Sequence, residues 1–152
     1  MSDLDAEFCD TNVLIYAHDA SAGAKHAAAA RLLHDLITQD RCRLSPQVLQ
    51  EFYVNVTRKL VRSMPADEAA VAVGKYAHWV TVATDARDVQ AAVALARQRQ
   101  LSLWDAMIVV AAIKSEAHVL WTEDLQSGTT FGSLHVRNPF VVVGPEGAVG
   151  QR

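Results

Sequence analysis

The residues of this chain that are best suited to chemistry are four carboxylic acids that lie far apart in the sequence. We call them the acid quartet: Asp10, Glu51, Asp105 and Asp124. Carboxylates that are brought close together repel one another, and one or more of them stays protonated unless a cation lies between them. Ligand sets made only of oxygen favour Mg²⁺ or Mn²⁺ over zinc. The sequence therefore predicts a magnesium or manganese site if the fold gathers the acid quartet.

Each acid also has an ordinary structural explanation. Asp10 and Asp105 can stabilise the starts of helices. Glu51 can be an exposed helix carboxylate, and Asp124 can belong to a turn. The surroundings of Asp105 are unusual, because the residues at 103–110 are otherwise apolar. A carboxylate at the start of so apolar a helix is costly unless it is paired or binds a metal. The four acids as a set therefore support a site better than any one of them does.

Short apolar segments alternate with helical patterns along the chain. Strands are predicted at 8–9, 42–44, 79–83, 119–121 and 134–136. Helices are predicted at 11–16, 25–39, from 46 onward, and at 65–76, 85–99 and 103–115. This alternation is typical of an α/β fold, in which helices cover both faces of a parallel sheet.

The predicted elements place the acid quartet at one edge of the sheet. Asp10 and Asp124 follow predicted strands, whereas Glu51 and Asp105 lie in the first turns of helices. Ligand sites in such folds lie at the carboxyl ends of the strands. Since strand ends and the helix starts that follow them share that edge, we expect the four acids to converge there.

Length and composition indicate a globular protein. The chain has 152 residues, of which 51% are hydrophobic, so we expect one domain at 1–143 and a flexible tail at 144–152. The net charge of −3 neither supports nor excludes nucleic-acid binding, although a basic patch could exist locally. The two cysteines, Cys9 and Cys42, lack metal-binding spacing and are interpreted as reduced, buried thiols. No signal sequence and no apolar run of membrane-spanning length is visible, which favours a cytoplasmic protein without a membrane segment.

Two sets of apolar residues are expected to be buried. The first consists of the three tryptophans, whose neighbours are apolar: Trp79, Trp104 and Trp121. The second is the predicted inward face of the helix at 85–99: Val89, Ala92, Val93 and Ala96.

A basic cluster follows the helix that carries Glu51. It consists of Arg58, Lys59 and Arg62. The cluster has two interpretations of equal weight. It can be a solvated helix end that complements the helix dipole, or it can be a set of phosphate contacts for RNA.

Four segments resemble the sequence motifs of PIN-domain nucleases. They are FCDTNVLIY at 8–16, SPQVLQEF at 45–52, LWDAMI at 103–108 and LWTEDL at 120–125. Residues 131–140 resemble the end of that domain, so the likeness covers about residues 7–140, in the expected order. Any one motif is weak evidence, but the four together are specific.

The chain most resembles the VapC toxins of type II toxin–antitoxin systems. That resemblance implies a three-layer α/β/α sandwich around a mainly parallel sheet, a magnesium-dependent endoribonuclease, a homodimer, and inhibition by a VapB-type antitoxin. By position, it implies that the acid quartet is both the catalytic set and the metal-ligand set. It also implies that Asn12 and Thr122 support the site, and Glu123 could share the role of Asp124.

The expected reaction is hydrolysis of an RNA phosphodiester bond by metal-activated water, which leaves a 5′-phosphate. One alternative is a PIN-like module that binds RNA or a protein without catalysis, although such a module would be expected to lack one or more of the acids. A second alternative is a haloacid-dehalogenase-like phosphatase, which also begins with an Asp after a strand. That enzyme needs a second Asp two positions later, where this chain has Asn12.

Overall fold

Five short strands form one sheet in the computed structural model, which describes residues 6–141. The strands are β1 (Glu7–Cys9), β2 (Cys42–Arg43), β3 (Val119–Trp121), β4 (Thr130–Phe131) and β5 (Leu134–Arg137). Their order across the sheet is β2-β1-β3-β5-β4. All neighbours are parallel except β4 and β5, which pair antiparallel. The predicted tail at 144–152 lies outside the described residues.

In the part of the chain that the structure describes, six α-helices flank this sheet. They are α1 (Thr11–Ala17), α2 (Ala24–Thr38), α3 (Pro46–Arg58), α4 (Ala66–Tyr76), α5 (Ala86–Arg99) and α6 (Leu103–Lys114). Helix α1 packs on α2 and α3, α3 packs on α4, and α5 packs on α6. The predicted three-layer α/β/α sandwich around a mainly parallel sheet is therefore confirmed. None of the helices within residues 6–141 is both long and apolar enough to cross a membrane.

Helix starts that face the carboxyl edge of the sheet are fixed by local chemistry. The Asp10 carboxylate accepts a hydrogen bond from the first amide of α1. The hydroxyl oxygens of Ser45 and Ser102 accept hydrogen bonds from Val48 N and Asp105 N, which caps α3 and α6. Pro46 at the first position of α3 loses no needed donor there. These caps set where Glu51 and Asp105 emerge, because helix position fixes the direction of a side chain.

The predicted strand at 79–83 is wrong. Residues 77–79 form a short 3₁₀-helix, and Val80 makes only a single parallel bridge to Leu44. Strand β4, in contrast, was not predicted. It is only two residues long and lies between Gly128 and Gly132. Glycines on both sides indicate a turn, so the sequence of this segment predicts a loop.

Two burial predictions also fail in part. On the predicted inward face of α5, Ala92 is buried, but Val89 and Val93 are 40% and 44% exposed. Trp79 and Trp121 are partly buried, as expected, and pack against the core. Trp104 is 64% exposed. Cys9 and Cys42 are free, buried thiols, as predicted.

Candidate active site

The acid quartet lies where the carboxyl ends of the central strands meet the helix starts. Asp10 directly follows β1, and Asp124 lies three residues beyond the end of β3. Glu51 is in the second turn of α3, and Asp105 is in the first turn of α6. Strands β1 and β3 are parallel neighbours, and Cys9 is in register with Trp121, so the residues after these strands emerge side by side.

Asp10 is the most enclosed member of the quartet, with only 4% of its surface exposed. Its Oδ1 accepts a 2.7 Å hydrogen bond from Thr11 N, and its Oδ2 accepts a 2.8 Å bond from Thr122 Oγ1. Burial raises the pKa of the Asp10 carboxyl to about 7, and the charges of Asp124 and Glu51 add to that rise. The two hydrogen bonds oppose it but do not cancel it. Near neutral pH, this group therefore sits between its two protonation states.

The two predicted supporting residues connect Asp10 with Asp124. Thr122, which is fully buried, donates to Asp10 and accepts a 3.3 Å bond from Asn12 Nδ2. Asn12 Nδ2 also lies 3.2 Å from Asp124 Oδ2, and Asp124 N donates to Thr122 Oγ1 at 3.0 Å. Segments more than 100 residues apart in the sequence are thus joined by one hydrogen-bond network.

A second network joins Glu51 to the start of α6. Thr11 Oγ1 donates to Glu51 Oε1 at 2.6 Å, and Gln47 Nε2 donates to Glu51 Oε2 at 3.2 Å. The same Gln47 nitrogen lies 3.2 Å from the carbonyl oxygen of Trp104. The carboxylate of Glu51 is therefore held by two neutral donors, one of which also contacts the residue before Asp105.

The charges of the quartet act on one another. Partial burial raises the pKa of Asp124, and the charges of Asp105, Glu123 and Glu51 raise it further, although the hydrogen bond from Asn12 opposes them. Asp10 is affected by Asp124 and Glu51, as described above. The structure thus brings all four predicted acids into one electrostatically coupled cluster.

Glu123 belongs to a different network. Its carboxylate accepts 2.8 Å and 2.7 Å bonds from Lys25 Nζ and Tyr16 Oη. Lys25 also lies over the rings of Tyr16 and Phe140. Glu123 therefore already has a cation, which weighs against the prediction that it shares the role of Asp124.

The acid quartet, in contrast, has no such cation. Within residues 6–141, no lysine or arginine forms an ion pair with any of its four members. Two carboxyls with raised pKa values and no positive partner are an unfavourable arrangement for a folded protein. Such an arrangement is expected where the missing charge comes from outside the chain.

The donor set can be compared with the needs of a divalent metal. Its four carboxylates are hard oxygen ligands of the kind that Mg²⁺ and Mn²⁺ prefer. The buried Asn12 Oδ1, beside Asp124, has no hydrogen-bond partner among the described residues and is a further oxygen of that kind. In residues 6–141, however, no group of three or more His, Cys, Asp or Glu side chains is already arranged to hold a metal ion. The residues therefore fit a magnesium-type ion in chemistry.

The predicted basic cluster is not brought to the quartet. Arg58 ends α3, and Lys59 and Arg62 follow it, all three exposed. Arg58 comes seven positions after Glu51 on the same helix, which is roughly 10 Å along the helix axis. Contact of these three basic residues with RNA stays a prediction. Such a contact would involve a part of the RNA strand that lies away from the acid quartet.

Three residues of the site were not found by sequence reasoning. Gln47 had a usable signal, because it lies four residues before Glu51 and so on the same side of α3. Thr11 gave no signal, since its partner Glu51 is 40 residues away. The apolar neighbours of Trp104 predict a place in the core, but Trp104 lies on the surface beside the site.

Comparison with known proteins agrees with this arrangement. A sequence profile of the PIN domain matches residues 8–126 of the chain. No curated protein matches it significantly in sequence.

The solved structures that are similar to this chain include three with TM-scores between 0.54 and 0.62. One is VapBC2 from Rickettsia felis bound to a DNA fragment from its promoter, with a TM-score of 0.60 and 17% identity, covering 88% of this chain and 98% of that one. Another is FitAB bound to the IR36 DNA fragment, with a TM-score of 0.62 and 17% identity. The match covers 91% of this chain and 99% of that one. The third is VapC20 from Mycobacterium tuberculosis, which is described as a sarcin–ricin loop cleaving toxin. Its TM-score is 0.54 at 21% identity, and the match covers 76% of this chain and 87% of that one. At these identities the likeness shows a shared fold.

Proposed function

Because the chain belongs to the PIN domain family, we propose that it is a magnesium- or manganese-dependent endoribonuclease and the toxin of a toxin–antitoxin pair. The observation that carries this proposal is the acid quartet, whose carboxyls repel one another, include the buried Asp10, and form no ion pair with a cation within the described residues. A haloacid-dehalogenase-like phosphatase is disfavoured, because the position of its general acid is held by Asn12, whose amide donates to Thr122 and Asp124.

Each side chain has a task in the proposed reaction. A bound divalent cation would supply an activated water and offset the charge that builds on the phosphate. Asp10, Asp105 and Asp124 would be its main ligands. Glu51 would ligate as well or would orient the attacking water, and Thr11 fixes its carboxylate by a 2.6 Å hydrogen bond.

The supporting network keeps these carboxylates in place. Thr122 and Thr11 N bind the two oxygens of Asp10, and Asn12 binds one oxygen of Asp124. Because these donors are neutral, they position the carboxylates without cancelling their charge. Asp10 must lose its proton before it can ligate a cation, and its pKa of about 7 places that step near neutral pH.

RNA as the substrate is supported by the comparison with VapC20, which is described as cleaving the sarcin–ricin loop. Water as the nucleophile needs no 2′-hydroxyl, so preference for RNA would come from the shape of the strand and from which strands reach the acids. Two of the similar structures carry the names of paired systems, VapBC and FitAB. They support the proposal that this chain has a VapB-type antitoxin. The proposal also includes a homodimer and a cytoplasmic location, where free thiols such as Cys9 and Cys42 stay reduced.

The test is cleavage of RNA by the purified chain, with the ends of the products identified. We expect cleavage with Mg²⁺ or Mn²⁺, none with EDTA, and 5′-phosphate ends. Products with 2′,3′-cyclic phosphate ends would rule out metal-activated water as the nucleophile. Metal binding without turnover on any RNA would instead favour the non-catalytic binding module.

A further inference from the structure

The exposed side chain of Trp104 stands beside the acid quartet. It is 64% exposed, and within residues 6–141 the only other large aromatic side chain among the exposed residues is Tyr53 at 38%. Within residues 6–141, no aromatic ring and no cation contacts the Trp104 ring, whereas Trp79 and Trp121 both have such contacts. An exposed indole beside a candidate active site offers a large flat surface with which a substrate can make contact.

The position of Trp104 on α6 explains its exposure. Residues four and seven positions further on, Ile108 and Ala111, are buried at 2% and 9% exposure. Trp104 therefore continues the apolar stripe of α6 into the first turn, where the core ends. Asp105 begins the adjacent stripe, which continues through the buried Val109. The indole and the Asp105 carboxylate thus extend from the same end of the same helix.

Trp104 is also fixed relative to the acids. Its carbonyl oxygen accepts a 3.2 Å bond from Gln47 Nε2, and that nitrogen donates to Glu51 Oε2 at 3.2 Å. A single side-chain nitrogen therefore joins the backbone of Trp104 to one member of the acid quartet, and the peptide bond joins it to another.

We infer that Trp104 is a stacking platform for an unpaired base of the substrate strand, next to the phosphodiester bond that is cut. This inference rests on the proposed nuclease function. Because Trp104 and Asp105 are adjacent in the first turn of α6, a strand whose phosphate lies at the acid quartet can bring a neighbouring nucleotide to the indole. Every base has a flat face that can stack on an indole, so the contact needs no particular sequence. It requires an unpaired base, and it would therefore direct cleavage to single-stranded segments and loops.

The test combines substitutions at Trp104 with RNA substrates that lack one base. Wild type, Trp104→Ala, Trp104→Phe and Trp104→Leu are compared by kcat/KM on a single-stranded RNA and on a series with an abasic site at each position around the cut. Ile113→Ala is the matched control, because Ile113 is also on α6 and is 50% exposed, but lies near the other end of the helix.

We expect Trp104→Ala to lower kcat/KM by on the order of 5- to 150-fold. Trp104→Phe should retain most activity, Trp104→Leu should resemble Trp104→Ala, and Ile113→Ala should resemble wild type. One abasic position should cause a similar loss in wild type but no further loss in Trp104→Ala. Binding of the RNA with Ca²⁺ in place of Mg²⁺ should quench tryptophan fluorescence in wild type and much less in Trp104→Phe.

Several results would overturn the inference. An unchanged kcat/KM in Trp104→Ala would contradict it. So would a kcat/KM for Trp104→Ala on every abasic substrate that equals the product of the two separate losses, because the substitution and the missing base would then act independently. If Trp104→Ala does not fold, the test uses wild type alone on the abasic series. A wild-type kcat/KM that is the same at every abasic position would exclude a stacked base. A change only in the sedimentation of the protein, with normal cleavage, would assign Trp104 to a protein contact. If wild type itself cleaves no RNA, the proposed function fails, and that failure is distinct from a failure of the variants.

Discussion

Two clusters of acids in this chain have opposite electrostatic surroundings. At the start of α5, Asp85 and Asp88 form a reciprocal capping box, and Lys114 Nζ lies 2.7 Å from Asp88 Oδ2 and 3.9 Å from Asp85 Oδ2. The hydrogen bond from Lys114 is the main reason why the pKa of Asp88 is lowered. In the acid quartet, by contrast, the pKa values of Asp10 and Asp124 are raised.

The acids of the capping box stabilise the fold, whereas those of the acid quartet need a bound cation to offset their charge. The capping box has an internal cation and satisfies the amides of a helix start, so its charges are favourable in the isolated chain. The quartet is held by neutral donors, so its charges are unfavourable until a cation arrives. The comparison therefore predicts that substitutions in the two clusters have different effects on activity, pH dependence and metal binding.

The largest expected effect is on cleavage. Asp105→Asn should lower the rate of RNA cleavage in Mg²⁺ by about a thousandfold, as expected when a group that stabilises transition-state charge is lost. Asp88→Asn, which also removes one acid from the first turn of a helix, should cleave at the wild-type rate. Initial rates on one RNA under the same conditions give the comparison. Equal cleavage rates for the two variants would contradict the claim that the acid quartet acts in cleavage and the capping box does not.

The next effect is on stability as a function of pH. Since the pKa of Asp10 rises from 3.8 in the unfolded chain to about 7 in the folded one, the folded protein holds a proton that the unfolded chain has lost. This group therefore lowers the free energy of unfolding as pH rises from about 4 to 7. The full loss is at most on the order of 4 kcal/mol.

The measurement is chemical denaturation of metal-free protein at pH 5 and pH 8. Asp10→Asn cannot titrate, so its free energy of unfolding should fall less than that of wild type between these pH values. Addition of Mg²⁺ at pH 8 should recover part of the wild-type loss, because ligands that bind only the folded state stabilise it. Parallel pH profiles for wild type and Asp10→Asn would show that burial does not perturb this carboxyl.

An internal cation placed in the quartet should make it resemble the capping box. Gln47→Lys puts an ammonium group where an amide now lies 3.2 Å from Glu51 Oε2. Its repulsion should weaken binding of Mg²⁺ by roughly tenfold. Gln50→Lys adds the same charge to an exposed position of α3 and is the matched control. Titration calorimetry gives both affinities, and equal values would mean that the charge of the quartet does not determine binding.

The smallest effect belongs to the capping box. Asp85→Ala removes the acceptor for Asp88 N and should lower the free energy of unfolding by about 1 kcal/mol. Metal binding and cleavage should not change. Urea denaturation measures the stability, and a loss of metal affinity in this variant would show that the two clusters are not independent.

The sequence predicted best the features that depend on local chemistry. Strand β3 has the predicted bounds, and the caps at Ser45 and Ser102 form as expected. The convergence of the quartet also followed from a general rule, because parallel strands present their carboxyl ends at one edge.

What the sequence did not predict depends on where the core ends. Val93 belongs with the buried Ala92 to the predicted inward face of α5, yet it is 44% exposed. Trp104 continues a buried stripe beyond the edge of the core. Apolar spacing gives the direction of a side chain around the helix, but it does not say how far the neighbouring layer extends. The bond between Thr11 and Glu51 has no local signal either, because it joins side chains 40 residues apart.

The most direct test of the account is binding of Mn²⁺ or Mg²⁺ to metal-free protein, measured by titration calorimetry on wild type, Asp10→Asn and Asp88→Asn. The account predicts saturable uptake by wild type and by Asp88→Asn, and strongly weakened uptake by Asp10→Asn. If wild type takes up no ion, or if Asp10→Asn binds as well as wild type does, the acid quartet is not a cation site.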